Sequence, residues 1–411
     1  MPMPPPSSST RHLDVEAVLG AAGLRPFHRR AVAITGIAWT FVAMEILLVG
    51  FTLPLFGSLW NLSATWLGWI GASALAGSLV GSLLLGRVAD QIGRKRIFQA
   101  SILWYSVFTA LTALAWGPAS LLTLRFLAGI GLGGMLVVDP SLLAEYLPPQ
   151  RRGRYLVLLD FFWPIGLLIA IGLSWVFLDR LDGQWRWLFV AAALPAFLAY
   201  VVRRALPESP YWLARHGRLA EAGGVLGGIT GHPVDSTSLA VSEEPSSSPR
   251  ELLGGRLRGT SAIIILIWVA LNVSYYGLFI WLPGVLGTQG TVALNVYVLL
   301  ALVALAQFPG YAASLWLVEA WGRKPTLAAF LALGGVSALT FALANSTAVY
   351  VAALFFVGFF NLGAWGAVYP YTSELFPTRL RSTAFGMVEG VGKAAAIAGP
   401  YLFGYLLDTT G

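Results

Sequence analysis

The stretch GRVADQIGRKR, residues 86–96, returns in outline at residues 315–325 as LWLVEAWGRKP. Asp90, Gly93, Arg94 and Lys95 correspond to Glu319, Gly322, Arg323 and Lys324, each pair 229 positions apart, and the same offset carries Glu145, Pro148 and Arg152 onto Glu374, Pro377 and Arg381. Agreement at seven positions, with no insertion between the two clusters, identifies parallel repeats of one unit. Such repeats place a shared site at their interface.

Outward from these two loops the chain is apolar. Of its 411 residues 57% are hydrophobic and only 11% charged, against about a quarter charged in soluble domains. The apolar residues come as runs rather than stripes, and a run of about 18 or more reads as a helix that crosses a bilayer. Eleven such runs are present, at 31–55, 63–86, 97–116, 119–138, 155–177, 185–206, 260–286, 293–318, 326–343, 347–373 and 382–407. The fold predicted is an all-α membrane protein made of two pseudo-symmetric helical bundles. Residues 1–30 form a tail with a short amphipathic helix at Leu13–Ala22, 31–206 the first six-helix bundle and 260–411 the second, with five helices visible. The linker, 207–259, has short helices at 210–216 and 249–253 around a mobile Ser/Pro-rich part.

Several function classes are excluded at once. Cysteine is absent and the four His residues, at 12, 28, 216 and 232, are scattered, so neither a thiolate site nor a metal cluster is expected. Nothing resembles a phosphate-binding Walker loop or a nucleophile elbow, so no cofactor and no catalytic residue are assigned. The formal charge of +7 does not mark a nucleic-acid surface. With the N-terminus inside and the spans alternating, all but four of the 26 Lys and Arg residues fall on cytoplasmic segments; Arg180 and Arg186 lie on outer loops, Arg125 and Lys393 within spans. This is the positive-inside pattern of a multi-pass membrane protein.

GRVADQIGRKR at Gly86–Arg96 resembles the loop motif between helices 2 and 3 of the major facilitator superfamily, and PESPYWL at Pro207–Leu213 resembles the segment that follows helix 6 in sugar porters. NVSYYGLFIWLP at Asn272–Pro283 lacks the paired glutamines that sugar porters carry there. With AME at 43–45 and DFFW at 160–163, it resembles instead the niacin-type transporters and their relatives, the synaptic vesicle glycoprotein group and the organic ion transporters. Those families have twelve spans, whereas the eleventh here ends close to Gly411, so a fragment lacking helix 12 is expected. The resemblance implies a monomeric secondary active transporter in a plasma membrane, a bacterial inner membrane, that moves a small organic anion such as nicotinate or benzoate with a proton. Its partners are that small molecule, the proton and the lipid bilayer. A sugar or polyol porter is the alternative, favoured by PESPYWL alone. A receptor that kept the fold without transporting is a further one.

Charges at the centre of a bilayer helix cost about 2.5–3.5 kcal/mol each, so those that persist are functional candidates. Glu45, in the first span, has no neighbour in sequence to neutralise it. It is either a proton carrier or a structural partner of Arg125. Arg125 opens RFLAGIGLGG, whose glycines Gly129, Gly131, Gly133 and Gly134 suit close helix packing; the resemblance also links this pattern with proton coupling. Lys393, in the eleventh span, lies one turn beyond Glu389 and is either its ion-pair partner or the anchor of an anionic substrate. Asp160 and Glu389 coincide under the 229-residue offset and form a candidate pair of acids for proton coupling. Asp139, before Pro140, reads as a solvated or capping residue. Tyr275, Tyr276, Trp163, Asn272 and Trp365 join Lys393 as candidate substrate contacts. Asp90, Arg94, Glu145, Arg152, Glu319, Arg323, Glu374 and Arg381 form a candidate cytoplasmic gate that binds helix ends of the opposing half.

Overall fold

The computed structural model describes residues 13–240, 249–254, 257–288 and 295–410. The expected tail before residue 13 and part of the Ser/Pro-rich stretch, 241–248, lie outside these residues. The chain runs β1(Leu13–Asp14), α1(Val15–Ala22), α2(Pro26–Trp60), α3(Ala64–Ile92), α4(Arg94–Thr112), α5(Pro118–Tyr146), α6(Pro149–Asp160), α7(Trp163–Ser174), α8(Trp185–Ala192), α9(Ala196–Ala205), α10(Pro210–Arg215) and α11(Leu219–Thr230). Then come β2(Leu239–Ala240), α12(Pro249–Leu253), α13(Arg258–Thr288), α14(Val296–Ala320), α15(Arg323–Leu343), α16(Thr347–Leu375) and α17(Thr378–Thr410). A π-helical turn, Trp175–Arg180, continues α7. Helices α6 and α7 together make one rod, as do α8 and α9.

Among the described residues nine rods are long and apolar enough to cross a membrane. Two further helices have the length: α4 has 19 residues and begins with Arg94, Lys95 and Arg96, and α17 has 33 and carries Glu389, Lys393 and Asp408. At 1.5 Å per residue even the shorter spans about 28 Å. The turns between rods are tight where the charged motif recurs. Gly93 and Gly322 adopt φ of 114° and 96°, a region that favours glycine, so α3 passes into α4 and α14 into α15 with almost no loop.

Close backbone contacts repeat with the sequence. Gly81 of α3 packs on the carbonyl of Ile130 in α5, and Gly310 of α14 packs on that of Phe359 in α16. Conversely, Gly129 of α5 meets the Ala74 carbonyl and Gly358 of α16 that of Val303. Each contact pair is related by the same 229 positions that relate the charged motifs. Small residues let helix backbones approach where lipid supplies no hydrophobic drive for helix association. The halves therefore share packing as well as loop chemistry.

Between the halves, the tight contacts lie at the end away from the charged motifs. Gly50 of α2 abuts the Ile280 carbonyl of α13, Gly68 of α3 abuts that of Pro400 in α17, and Gly404 of α17 abuts that of Ala64. Asp408 near the end of α17 accepts from the N–H groups of Ala64 and Thr65 at 2.8 and 2.7 Å and so caps the N-terminus of α3 across the interface. One end of the bundle is thus stitched shut.

Gly81→Ala and Gly310→Ala each place a methyl against a backbone carbonyl, and each is expected to cost about 1–3 kcal/mol by overpacking. Gly153→Ala and Gly335→Ala, which meet nothing within 4 Å, should leave stability unchanged. Thermal melts of the four variants in one detergent check this; equal melting temperatures would contradict the packing described.

Candidate functional site

Two polar centres lie inside the bundle. The first is sealed. Glu45 of α2 and Arg125 of α5 are both fully buried and form an ion pair through Glu45 Oε1 and Arg125 Nη1. Arg125 Nη2 also donates to the Glu45 carbonyl at 3.0 Å, Thr109 of α4 donates to Glu45 Oε1 at 2.8 Å, and the guanidinium stands 5.6 Å from the centre of the Phe189 ring. Glu45 has no counter-charge nearby in sequence, but the fold brings one from 80 residues away. The four glycines after Arg125 are all packing surfaces: Gly129 and Gly133 meet the backbone of α3, Gly131 that of α4, and Gly134 the side chains of Ser101 and Leu85.

The second centre is a cavity between the halves. Trp39, Leu75, Ser78, Leu136, Asp160 and Trp163 line it from the first half; Asn272, Tyr275, Tyr276, Leu362, Trp365, Tyr369, Glu389, Lys393 and Ala396 line it from the second. The six candidate substrate residues, Lys393, Tyr275, Tyr276, Trp163, Asn272 and Trp365, therefore share one wall system with Asp160 and Glu389, while Glu45 and Arg125 lie outside it.

A break in one rod builds the first-half wall. The sequence DFFWP stops α6 at Asp160 and restarts the helix at Trp163, with Pro164 at the new N-terminus, where its missing N–H costs nothing. Backbone groups released by such a break need partners in a bilayer. Thr40 of α2 donates to the Phe162 carbonyl at 3.1 Å, and the Tyr311 hydroxyl of α14 lies 3.2 Å from the Val157 carbonyl and 2.9 Å from Asp160 Oδ2. The break turns Asp160 and Trp163 into the cavity. Trp163 in turn donates to the Tyr275 hydroxyl of α13 at 2.5 Å, and Tyr275 stacks on Phe279 with ring centres 4.5 Å apart. The Tyr275 oxygen thus already holds a cross-half bond, and its proton remains to be donated. Asn272 spends one amide hydrogen on the Trp268 carbonyl at 2.9 Å. Lys393 Nζ stands 3.9 Å from Glu389 Oε1 one turn away, so the ion pair and the cavity position coexist.

At the other end each charged motif closes on its own half. Arg94 binds Glu145 at 2.9 Å and Asp90 at 3.4 Å; Arg323 binds Glu374 at 2.7 Å; Arg381 donates to the Ser373 carbonyl at 2.7 Å. Arg152 reaches Glu16 at 3.5 Å and the Tyr211 hydroxyl at 3.2 Å. Burial pushes that hydroxyl up to about 12, so it remains protonated. Glu319 is exposed and makes no ion pair among the described residues. The bonds to the opposing half expected of Arg94, Arg152 and their counterparts are absent among the described residues. PESPYW instead braces the first motif. Ser209 donates to Glu145, Glu208 accepts from the Lys95 N–H at 2.9 Å, Tyr146 donates to the Pro207 carbonyl at 2.5 Å, and Trp212 donates to the Asp90 carbonyl at 2.9 Å.

Asp139 corrects its sequence reading: it is fully buried within α5, and neither carboxyl oxygen has a hydrogen-bond partner among the described residues. Pro140 does not end the helix but sits inside it. Sequence reasoning also passed over Trp39 and Tyr311. The offset held a signal for the former, since Trp39 corresponds to Trp268; for Tyr311 there was none.

Residues 25–411 match the family described as sugar (and other) transporter. The niacin transporter NiaP of Acinetobacter baylyi is 35% identical over 386 residues, covering 93% of this chain and 88% of its own length. The synaptic vesicle 2-related protein of Xenopus laevis is 29% identical over 421 residues, covering 96% of this chain and 76% of its own. The xylose transporter XylE of E. coli, in a partially occluded inward open conformation, has the same fold at 20% identity, with a TM-score of 0.74 over 93% of this chain and 92% of that one. A chain that folds as two glycine-packed repeats around a central cavity, and that matches this family over nearly its whole length, belongs to the sugar (and other) transporter family of the major facilitator superfamily and is a multi-pass membrane transporter, not an enzyme.

Proposed function

We propose that this transporter carries a small aromatic carboxylate together with a proton by alternating access, in a bacterial inner membrane with its charged-motif end in the cytoplasm. The observation that carries the substrate class is Lys393: it is the sole cationic side chain on the cavity wall among the described residues, set among Trp163, Tyr276, Trp365 and Tyr369. A flat ring gains stacking and edge contacts from such walls, and an ammonium gives its carboxylate a charged partner. The niacin-transporting relative supports the same class. With the stitched end outward and the charged end inward, the conformation is inward-facing, and the excess of Lys and Arg at the latter supports that orientation.

Glu45 and Arg125 are the proposed proton relay. In the inward-facing state the carboxylate is held by the guanidinium and Thr109. A proton taken up on Glu45 would release Arg125 from its charge partner, and a buried unpaired guanidinium is costly enough to drive rearrangement of α2 against α5. Proton and substrate thus occupy separate places, coupled through α2, which carries both Glu45 and the cavity-lining Trp39.

Three outcomes are expected. Lys393→Ala weakens nicotinate binding at least tenfold, about 1.4 kcal/mol, in titration calorimetry of the purified protein, and Lys393→Arg retains part of it. If the double variant Glu389→Gln with Lys393→Gln transports the same anion at the normal rate, Lys393 is only a structural partner. Glu45→Gln keeps substrate binding but loses accumulation driven by an imposed pH gradient in proteoliposomes; undiminished accumulation would move the proton elsewhere. Since the chain has no cysteine of its own, Thr237→Cys should react with an impermeant maleimide only after cells are permeabilised, and labelling of intact cells would invert the topology.

A further inference from the structure

Helix α4 carries a buried row of hydroxyls. Ser101, Tyr105 and Thr109 follow one another at spacings of four residues, so they lie along one face of the helix, and all three are buried. Thr109, at one end of the row, donates to Glu45 Oε1 at 2.8 Å. Ser101, at the other end, lies about 12 Å nearer the start of α4 at Arg94, where the charged motif stands. The row therefore leads from the sealed ion pair toward the charged-motif end.

Its remaining hydroxyls are uncommitted. In the neighbouring helix α3, Ser73, Ser78 and Ser82 each donate to a carbonyl of their own helix, at 2.6, 2.8 and 2.9 Å, the ordinary fate of a serine in a helix. The oxygens of Ser101 and Tyr105 have no hydrogen-bond partner among the described residues, and Glu45 Oε2 and Arg125 Nε share that state. Glycines of α5 keep side chains away from the row: a Cβ at Gly134 would collide with the Ser101 hydroxyl, and one at Gly131 with the backbone of Tyr105. Buried polar groups left without protein partners are the ones that ordered water satisfies. Neither Ser101 nor Tyr105 lines the substrate cavity.

We propose that Tyr105 and Ser101, bridged by ordered water, carry the Glu45 proton to the charged-motif side by a route that does not enter the substrate cavity. This rests on Glu45 as the proton site and deepens that reading. Protonated Glu45 gives its proton at Oε2 to water. Each hydroxyl then accepts a proton from the side of the ion pair as it passes its own onward, so an excess proton leaves at Ser101 and both hydroxyls end neutral. Glu45 is left as the carboxylate paired with Arg125, its one ion-pair partner among the described residues. Thr109 holds the carboxylate in place as a positioning residue.

Time-resolved infrared spectroscopy of the full chain in nanodiscs tests the route, after a flash of light releases protons from a caged acid. The band followed is the carboxyl band that Glu45→Gln removes. Tyr105→Phe and Ser101→Ala should each slow its response by about tenfold or more while leaving its equilibrium midpoint in place. Ser73→Ala, whose hydroxyl is spent on its own helix, should match the unaltered protein. A proton route sets a rate, whereas a merely structural contact sets the midpoint. Unaltered rates in both variants, or a shifted midpoint with an unaltered rate, overturn the route while Glu45 remains the proton site. If Glu45→Gln removes no titrating band, the assignment of Glu45 falls and the route falls with it. Should Tyr105→Phe fail to fold, Ser101→Ala decides by the same comparison.

Discussion

A charge within the bilayer-spanning part of this protein must find its answer inside the protein, since lipid offers none, and the arrangement of the helices follows from that demand. Arg125 is answered by Glu45, whose backbone carbonyl and Thr109 complete the shell. Because the partners come from α2, α4 and α5, the pair fixes how these three helices of the first half meet. Lys393 and Glu389 answer each other within one helix and so fix nothing between helices. The first pair therefore ties helices together, and the second does not. Asp139 is the exception: it is buried, and neither carboxyl oxygen has a hydrogen-bond partner among the described residues.

The two halves are alike in frame and unlike in chemistry. Close glycine contacts and the Arg–Glu bonds of the charged motifs recur at one offset, so the frame is a true duplicate. The sealed ion pair does not recur, because Glu45 corresponds to Ser274 and Arg125 to Leu354. At the cavity, Asp160 corresponds to Glu389 and Pro164 to Lys393. In the first half that position breaks a helix and turns an acid inward; in the second an unbroken helix presents a base. A duplicated frame with diverged walls thus gives the cavity one base, Lys393, with two acids, Asp160 and Glu389.

Much of this was legible in the sequence, for identifiable reasons. Paired charged motifs and uninterrupted apolar runs are improbable by chance, so two bundles could be read directly. Lys393, Glu389 and Asp160 stood out because a charge is rare in an apolar run. Trp39 did not, because tryptophan is common in membrane helices and only its correspondence with Trp268 distinguishes it. Tyr311 was invisible: its part depends on where the break between α6 and α7 leaves a carbonyl and a carboxylate, which is a matter of three dimensions. Asp139 was misread because Pro140 suggested a turn. A proline inside a packed transmembrane helix loses one backbone bond, and neighbouring helices absorb that loss without ending the helix. The charged motifs were read as binding the opposing half, whereas among the described residues Arg94, Arg323 and Arg381 bind partners within their own half.

The contacts that join the halves differ in kind from those inside each half. Within the first half, rupture of Glu45–Arg125 would leave buried charges unpaired. Between the halves, the stitched end relies on close apolar approach at Gly50, Gly68 and Gly404 and on Asp408, an exposed carboxylate whose bonds to the N-terminus of α3 water can replace. Two further polar bridges between halves, Trp163 to Tyr275 and Tyr311 to Asp160, have a partner on the cavity wall, while Tyr311 also reaches the Val157 carbonyl and Tyr297 the Ser174 carbonyl. Opening the stitched end therefore breaks no ion pair between the halves among the described residues. Groups that border the cavity are also groups that hold the halves together around it. A molecule that satisfies Trp163, Tyr275 and Asp160 replaces contacts that otherwise tie the halves in this conformation, which is how occupancy of the cavity can be felt at its closed end.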